Sequence, residues 1–412
     1  MSKTSLKHKV AIIGSGNWGS TIGKIVAENA KEHKKLFETT IVMWAFEEDV
    51  DVPNDPGLWE KLGAGPVKLS HAINTVHQNI KYLPGVRLPD NLVANSNLQD
   101  TVKDATILVF NLPHQFLSMT LSQINGYHRP YARGISCIKG VDVADGTVTL
   151  YSEMVMEKLQ IYCCALSGAN IAPEVVAEKF CETTIGYDSP PMDYKERDGS
   201  PRDNRVKVDE QRQSNSKPTH IKLSPIPKEY PPVESSLLKT LFERPYFQVH
   251  VVRDVAGVAL GGALKNIIAL AAGFVTGKKW GENTKAAIVR IGVLEMVEFG
   301  RTWFSKSVDE RTFTEESAGM ADLIASCNAG RNYRSALRSV EKGVPIEEIE
   351  ETELGGQKLQ GISTARAVHE FLSKEGKLDK FPLFASVYEI IENHQSVEKL
   401  PSLLRKDPKA QN

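Results

Sequence analysis

Two stretches of this 412-residue sequence combine residue types that can do chemistry. The first is Gly14-Ser15-Gly16-Asn17-Trp18-Gly19, a G-x-G-x-x-G directly after residues 8–13 (HKVAII). Between a strand and a helix, each glycine has a physical task. The first makes the tight turn, the second lets the backbone approach a pyrophosphate, and the third lets the helix lie on the strand. The helix N-terminus then faces the phosphates. The second stretch is residues 256–277, almost wholly small or apolar, in which Lys265 is the single charged side chain. A lone ammonium there is costly unless it is paired or put to use. Two other readings exist. The run is long enough to span a membrane, but a central lysine costs roughly 2.5–3.5 kcal/mol in that setting, and five glycines and Asn266 also argue against it. A lysine that snorkels out to water is the other.

A second lysine, Lys139, stands with Gly140 at the end of the apolar run 134–138 (GISCI). If that run is a parallel strand, Lys139 points at the same crevice as the glycine loop; read alone, it is also an ordinary turn lysine.

The elements that would position these groups are legible in outline. The second strand covers residues 39–44, and Glu47, Glu48 and Asp49 follow it with no arginine or lysine between them. A 2′-phosphate placed there would meet carboxylates, which favours NAD over NADP; the alternative is that these acids cap the next element in solvent. Residues 51–67, rich in proline and glycine, read as a surface loop, and residues 69–82 as a helix. Strands follow at 92–94 and 105–110, the latter ending in Asn111-Leu112-Pro113-His114-Gln115-Phe116. Loops at the carboxyl ends of parallel strands are where such sheets bind ligands, so Phe116 either walls a cofactor or belongs to the core. Residues 161–166 and 180–186 are further strands, and the small-residue loop 167–173 follows the first of them.

Composition then shifts. Residues 188–233 hold eight prolines and little apolar periodicity, which predicts a disordered insertion that a short turn could replace. A helix and a strand resume at 237–252, the strand able to complete the sheet. From residue 253 strand patterns cease. Helical spacing recurs at 286–304, 318–324, 333–340, 362–373 and 383–391, with loops at 326–332 and 355–361. The expected architecture is a Rossmann-type α/β dinucleotide-binding domain over residues 1–252 and an all-α substrate and catalytic domain over 253–412.

Hydrophobic residues at 41% and charged residues at 25% suit a soluble globular enzyme. A net charge of −1 gives no general attraction to nucleic acid or an anionic membrane. The five cysteines have no metal-ligand spacing and read as reduced thiols of a cytoplasmic protein. No apolar signal region opens the chain, and the ending KAQN is not a peroxisomal tail.

Taken together, GSGNWGS, MWAFEE, NLPHQF, SCIKGVD, SGANIAPEV, KFCETTIG, GALKNIIALAAGF, GENTKAA, GMADLI, GRN and GGQKLQG resemble the soluble NAD-dependent glycerol-3-phosphate dehydrogenases, in order and spacing along nearly the whole chain. The resemblance implies hydride transfer between NADH and dihydroxyacetone phosphate, a homodimer, and no metal. Carried over by motif, it implies catalytic roles for Lys265, Lys139 and Asp322. It implies substrate contacts from Lys139, Asn266, Ser326, Arg331 and Asn332. Cofactor contacts would come from Gly14, Ser15, Gly16, Asn17, Trp18, Gly19, Phe46, Phe116, Lys139, Ala172, Arg331, Lys358 and Gln360. Ser326 stands where many members carry threonine. The chain departs from the pattern in NLPHQF for VPHQF, in Asn328-Ala329 for a paired glycine, and in insertions after Asp51 and Tyr187. Competing readings are a β-hydroxyacid or sugar-acid dehydrogenase of the same design, which would want a carboxylate site, and a non-catalytic NAD-binding regulator, which would be expected to lose Lys265, Lys139 or Arg331.

Overall fold

The computed structural model describes residues 5–144, 147–193, 205–207, 220–354 and 356–405. Strands β1 (Val10–Ile13), β2 (Ile41–Trp44), β3 (Asp49–Asp51), β4 (Pro66–Lys68), β5 (Leu92–Asn95), β6 (Ile107–Phe110) and β7 (Arg133–Ser136) lie in the first part of the chain. They are followed by β8 (Val141–Ala144), β9 (Thr147–Leu150), β10 (Tyr162–Ser167), β11 (Cys181–Gly186), β12 (Arg205–Lys207), β13 (His220–Lys222) and β14 (Phe247–Val252). Eight of them form one sheet in the order β14-β11-β10-β7-β6-β1-β2-β5. All neighbours run parallel except β10 and β11. The continuous apolar runs of β1, β6 and β10 fit this position, because strands covered on both faces need no polar alternation.

The chain fills the sheet outward from β1 on one side to β5, then returns to β6 and fills the other side. That reversal opens a crevice at the carboxyl ends of β1 and β6. Helices α1 (Asn17–Glu32), α2 (Pro56–Leu62), α3 (Leu69–Val76), α4 (Leu98–Val102), α5 (Leu117–Ile124), α6 (Tyr151–Leu159), α7 (Ala172–Val176) and α8 (Ser235–Phe242) connect the strands.

Beyond β14 the described residues are helical: α9 (Val255–Gly277), α10 (Glu282–Trp303), α11 (Arg311–Glu315), α12 (Asp322–Ala329), α13 (Arg331–Lys342), α14 (Ile346–Glu353), α15 (Gln360–Lys374) and α16 (Pro382–Glu392). The second apolar core is built around α9, apolar on all sides because neighbours cover it on all sides. Its glycines admit those neighbours at close range. A Cβ at Gly273 would lie 2.3 Å from the Tyr333 carbonyl oxygen. By length and composition α9 could cross a membrane, yet 94% of its most apolar window is buried within the protein.

Four expectations need correction. Residues 51–67 are not a bare loop, because β3 and β4 pair antiparallel around α2, whose first turn is capped by Asp55. The helix expected over 69–82 stops at Val76, where His77 turns left-handed (φ 50°). The expected 326–332 loop is helix: α12 runs to Ala329, and Gly330 alone separates it from α13.

The fourth concerns 188–233, which is packed at both ends. Arg133, 1% exposed at the start of β7, donates from Nε to Asp193 at 2.7 Å and from Nη2 to the Ser224 carbonyl at 3.2 Å. Tyr187 Oη donates to the Val233 carbonyl at 2.7 Å, and His8 Nε2 lies 2.8 Å from the Pro231 carbonyl. Because a carbonyl only accepts, that ring nitrogen carries the hydrogen; burial holds His8 down to about 4, so the ring is neutral at pH 7. Ile221, Leu223 and Val233 are buried. The partners of this segment are far away in sequence, and composition cannot show them. Residues 194–204 and 208–219 lie outside the described residues.

Candidate active site

Lys265, on α9, is 4% exposed. Its Nζ donates to Asp322 Oδ1 and, at 2.7 Å, to Ser326 Oγ. Lys139, just beyond β7, donates to the other oxygen, Asp322 Oδ2, at 2.8 Å, and lies 3.5 Å from the Gly168 carbonyl. The snorkelling alternative for Lys265 is thus excluded, and Lys139 is no free turn lysine. Two ammonium groups, one from the sheet and one from the helical core, share a single buried carboxylate. Burial pushes the Lys265 amine down to about 7; Asp322 opposes that shift and Lys139 reinforces it. An amine so placed can give up or accept a proton near neutrality.

Asp322 opens α12 directly after a π-helical turn, Ser317–Ala321. Such turns are uncommon and recur at functional sites. The hydroxyl of Ser326, one turn on, is the second hydrogen-bond partner of Lys265.

Asn266 and Asn332 are tied to each other. Asn332 Nδ2 donates to Asn266 Oδ1 at 2.9 Å, while Asn332 Oδ1 accepts from Gly361 N at 3.0 Å. Asn266 Nδ2 returns to the carbonyls of Gly262 and Ala263. Arg331 begins α13, where Gly330 leaves the helix without a side-chain cap, and its Nη1 reaches Gln357 Oε1 at 3.2 Å. An exposed guanidinium at an uncapped helix N-terminus suits an anion. Gln360 lies beside Gly140: a Cβ at Gly140 would be 3.1 Å from Gln360 Nε2. Lys358 turns away, its exposed side chain paired with Glu350 at 2.8 Å. Glu350, which no motif marked, also accepts from Leu359 N at 2.7 Å and so fixes the start of α15.

The glycine loop has the shape a dinucleotide requires. Gly14 adopts φ 111°, and a Cβ on Gly19 would sit 2.1 Å from the Gly14 carbonyl oxygen. A Cβ on Gly16 would meet nothing within 4 Å, so that face is open, and α1 starts at Asn17 with no side-chain cap. Ser15 and Trp18 flank this opening, the Trp18 ring packing on Phe247. Nearby, Asn111 Oδ1, Ser167 Oγ and Asn170 Oδ1 are buried with no hydrogen-bond partner among the described residues. These orphaned atoms lie at or just beyond the carboxyl ends of β6 and β10, where a sheet of this kind binds its ligand. Phe46 and Phe116, after β2 and β6, are 69% and 48% exposed and are not core. Ala172 opens α7 after the 167–171 loop. The residues present fit NAD.

The acids after β2 differ from expectation. Glu47 accepts from Ser70 N and Oγ, Glu48 binds Lys81 and Tyr82, and Asp49 pairs with Lys68 at 2.9 Å. The absence of a lysine in the segment is true only of the linear sequence. The hairpin β8–β9 also went unread. It follows Lys139-Gly140, and Val141, Val148 and Leu150 join the helical core rather than that of the sheet. The Asp-Gly pair at 145–146 was the available signal.

The sequence patterns described as "NAD-dependent glycerol-3-phosphate dehydrogenase N-terminus" and "C-terminus" match residues 9–192 and 254–402. Glycerol-3-phosphate dehydrogenase [NAD(+)] 2 of Zygosaccharomyces rouxii is 45% identical over 397 residues, 96% of this chain and 90% of that protein. Glycerol-3-phosphate dehydrogenase [NAD(+)] 1 of Saccharomyces cerevisiae is 43% identical over 98% of this chain and 92% of its own length. A solved glycerol-3-phosphate dehydrogenase from the same yeast superposes with a TM-score of 0.80, covering 97% of this chain and 100% of that one. One from Plasmodium falciparum gives 0.77 at 33% identity, covering 98% and 96%.

Proposed function

The chain belongs to the NAD-dependent glycerol-3-phosphate dehydrogenase family and moves hydride between NADH and dihydroxyacetone phosphate, and from that premise we propose how its residues divide the work. NADH supplies the hydride when it is bound. Lys265 donates the proton that the ketone oxygen takes up, and its charge stabilises that oxygen as negative charge develops. Lys139 adds positive potential from the sheet side. Asp322 holds both ammonium groups in place, and Ser326 fixes the direction of the Lys265 amine. In the reverse direction neutral Lys265 accepts the alcohol proton.

Arg331, with the free N–H groups of the α13 N-terminus, binds the substrate phosphate. Asn266 and Asn332 line that pocket. The glycine loop Gly14–Gly19 cradles the pyrophosphate, Phe46 and Phe116 wall the adenosine and nicotinamide ends, and Ala172, Gln360, Lys358 and Lys139 complete the cofactor contacts. Lys358 must leave Glu350 to do so. The boundary between the two domains falls at 252/253, between the last strand and α9.

We also read the chain as a cytoplasmic homodimer. Its five cysteines are all free, which suits a reducing compartment, and Leu294 and Ile324 leave large apolar side chains exposed on the helical domain. Light scattering on the purified chain tests the dimer.

The observation that carries the catalytic reading is the pair of lysines on one buried carboxylate. The test is NADH oxidation by the purified chain. Dihydroxyacetone phosphate should support turnover, unphosphorylated dihydroxyacetone should do so poorly, and Lys265→Ala should abolish it. More than a tenth of wild-type activity in Lys265→Ala sinks the assignment.

A further inference from the structure

We propose that Ser317 is a positioning residue for this reaction: its hydroxyl locks the turn that carries Asp322 onto the loop after β10, whose Gly168 carbonyl meets the Lys139 ammonium. Ser317 is 4% exposed and opens the π-helical turn Ser317–Ala321. Its Oγ donates to the Glu182 carbonyl on β11 at 2.8 Å and accepts from Ala169 N at 3.2 Å. Ala169 follows Gly168, whose carbonyl lies 3.5 Å from the Lys139 ammonium. One hydroxyl therefore ties together β11, the loop after β10 and the turn leading into α12.

Two further contacts hold the same turn. Ala318 N donates to Thr184 Oγ1 on β11 at 3.2 Å. On the opposite side α9 presses against it, since a Cβ at Gly261 would lie 2.6 Å from the Ala318 carbonyl oxygen. Gly261 is one helical turn before Lys265. The turn is thus gripped between the strand edge and the helix bearing the amine, and Asp322 inherits its place from both. Lysine and carboxylate come from different elements, so their alignment depends on this junction. Misplacing a reacting group by about 1 Å can cost about 10²-fold in rate.

The inference rests on Lys265 being the proton donor, and its test reads the ionisation of that amine. Among the described residues the titratable groups facing Lys265 are Asp322, Lys139 and the Cys327 thiol. Asp322 favours the charged amine, so a carboxylate that drifts away lowers the amine's pKa. Reduction needs the protonated amine, so a lowered pKa makes its alkaline loss of activity set in at a lower pH.

Ser317→Ala and Thr184→Val each remove one grip without touching Lys265. The profile of kcat/KM for dihydroxyacetone phosphate reduction against pH is measured for both, with KM for NADH and Tm. The expected result is a fall in kcat of about 10- to 100-fold, an unchanged KM for NADH, and an alkaline limb moved to lower pH by about one unit. A limb that stays at the wild-type pH, or moves up, overturns the proposal, whatever happens to Tm. An active Lys265→Ala would instead remove the catalytic reading beneath it, so the two failures are distinguishable.

Discussion

Lys139 and Lys265 are bound to opposite oxygens of one carboxylate, Asp322, although one lysine follows a sheet strand and the other sits in the core helix of the second domain. With Lys265 protonated, one negative charge faces two positive ones and the cluster carries a net positive charge; when Lys265 gives up its proton the cluster is neutral. The arrangement makes Asp322 a spacer as much as a counterion.

On the proposed roles, removing the Lys265 amine takes away the proton source and the nearest cation together. Losing one preorganised donor to a developing oxyanion costs about 2.7–4 kcal/mol, so Lys265→Ala should lower kcat by at least about 10²-fold. Circular dichroism and NADH fluorescence titration should remain near wild type. More than a tenth of wild-type kcat would exclude Lys265 from the proton step.

The pH profile should follow from the lowered amine. Burial brings Lys265 down to about 7, and Lys139 contributes in the same direction. Ketone reduction uses the protonated form, so kcat/KM should be full below that value and fall as pH rises through it. Alcohol oxidation should show the opposite slope. Lys139→Met removes the neighbouring cation, which raises the Lys265 pKa and moves the limb to higher pH. A limb that moves down would mean that Lys139 does not act on Lys265 by charge.

Arg331→Gln should act on the phosphate. A charge-assisted fork is replaced by a neutral amide, a loss of about 2–5 kcal/mol in transition-state binding. Steady-state kinetics should show the loss with dihydroxyacetone phosphate and far less with unphosphorylated dihydroxyacetone. Equal losses with both would place Arg331 on the loop or the cofactor instead.

The parts of this molecule that the sequence disclosed are those encoded by neighbours in the chain. The glycine loop, the apolar strands and the conspicuous lysine of α9 are all local patterns, and local sterics and burial determine them. The partners were not local. Asp322 became visible only through a family motif, and nothing around Lys68 or Lys81 announced that they stand beside Asp49 and Glu48. The same blindness hid the packing at the two ends of 188–233. Its prolines remove helix and ladder donors, but they do not prevent Asp193 from meeting Arg133 or Val233 from packing. Ser317 resembled any small residue before a motif, because its value lies in two backbone groups on other elements.

That correction reverses one expectation about stability. Arg133 and Asp193 are both buried, and removing one partner leaves an uncompensated charge, at a typical cost of about 3–5 kcal/mol. Asp193→Ala should therefore lower Tm clearly, and replacing all of 188–233 by a short turn should do so more. Differential scanning fluorimetry on both variants checks this. A stable chain lacking the whole segment would show that its packing adds nothing.

Cofactor choice has a non-local side as well. NADH should be preferred to NADPH by at least about tenfold, about 1.4 kcal/mol, but the acids after β2 share the region with lysines they already bind. Glu48→Gln releases Lys81, whose ammonium Glu48 now holds, and should narrow the preference measured as a ratio of kcat/KM values. An unchanged ratio would put the adenosine ribose out of reach of Lys81.

The outer strand β14 lies beyond residues 194–219 in the chain, yet it pairs with β11, which lies before them. The carbonyls of Ser224, Pro231 and Val233 are likewise held by Arg133, His8 and Tyr187 from the earlier part. The polypeptide is therefore interleaved across this region rather than merely joined there. None of these pairings involves residues 208–219. Divided in this region, the first piece would keep seven strands of the main sheet and the second β14 alone, so the edge left open at β11 on the one has its complement in the strand left unpaired on the other.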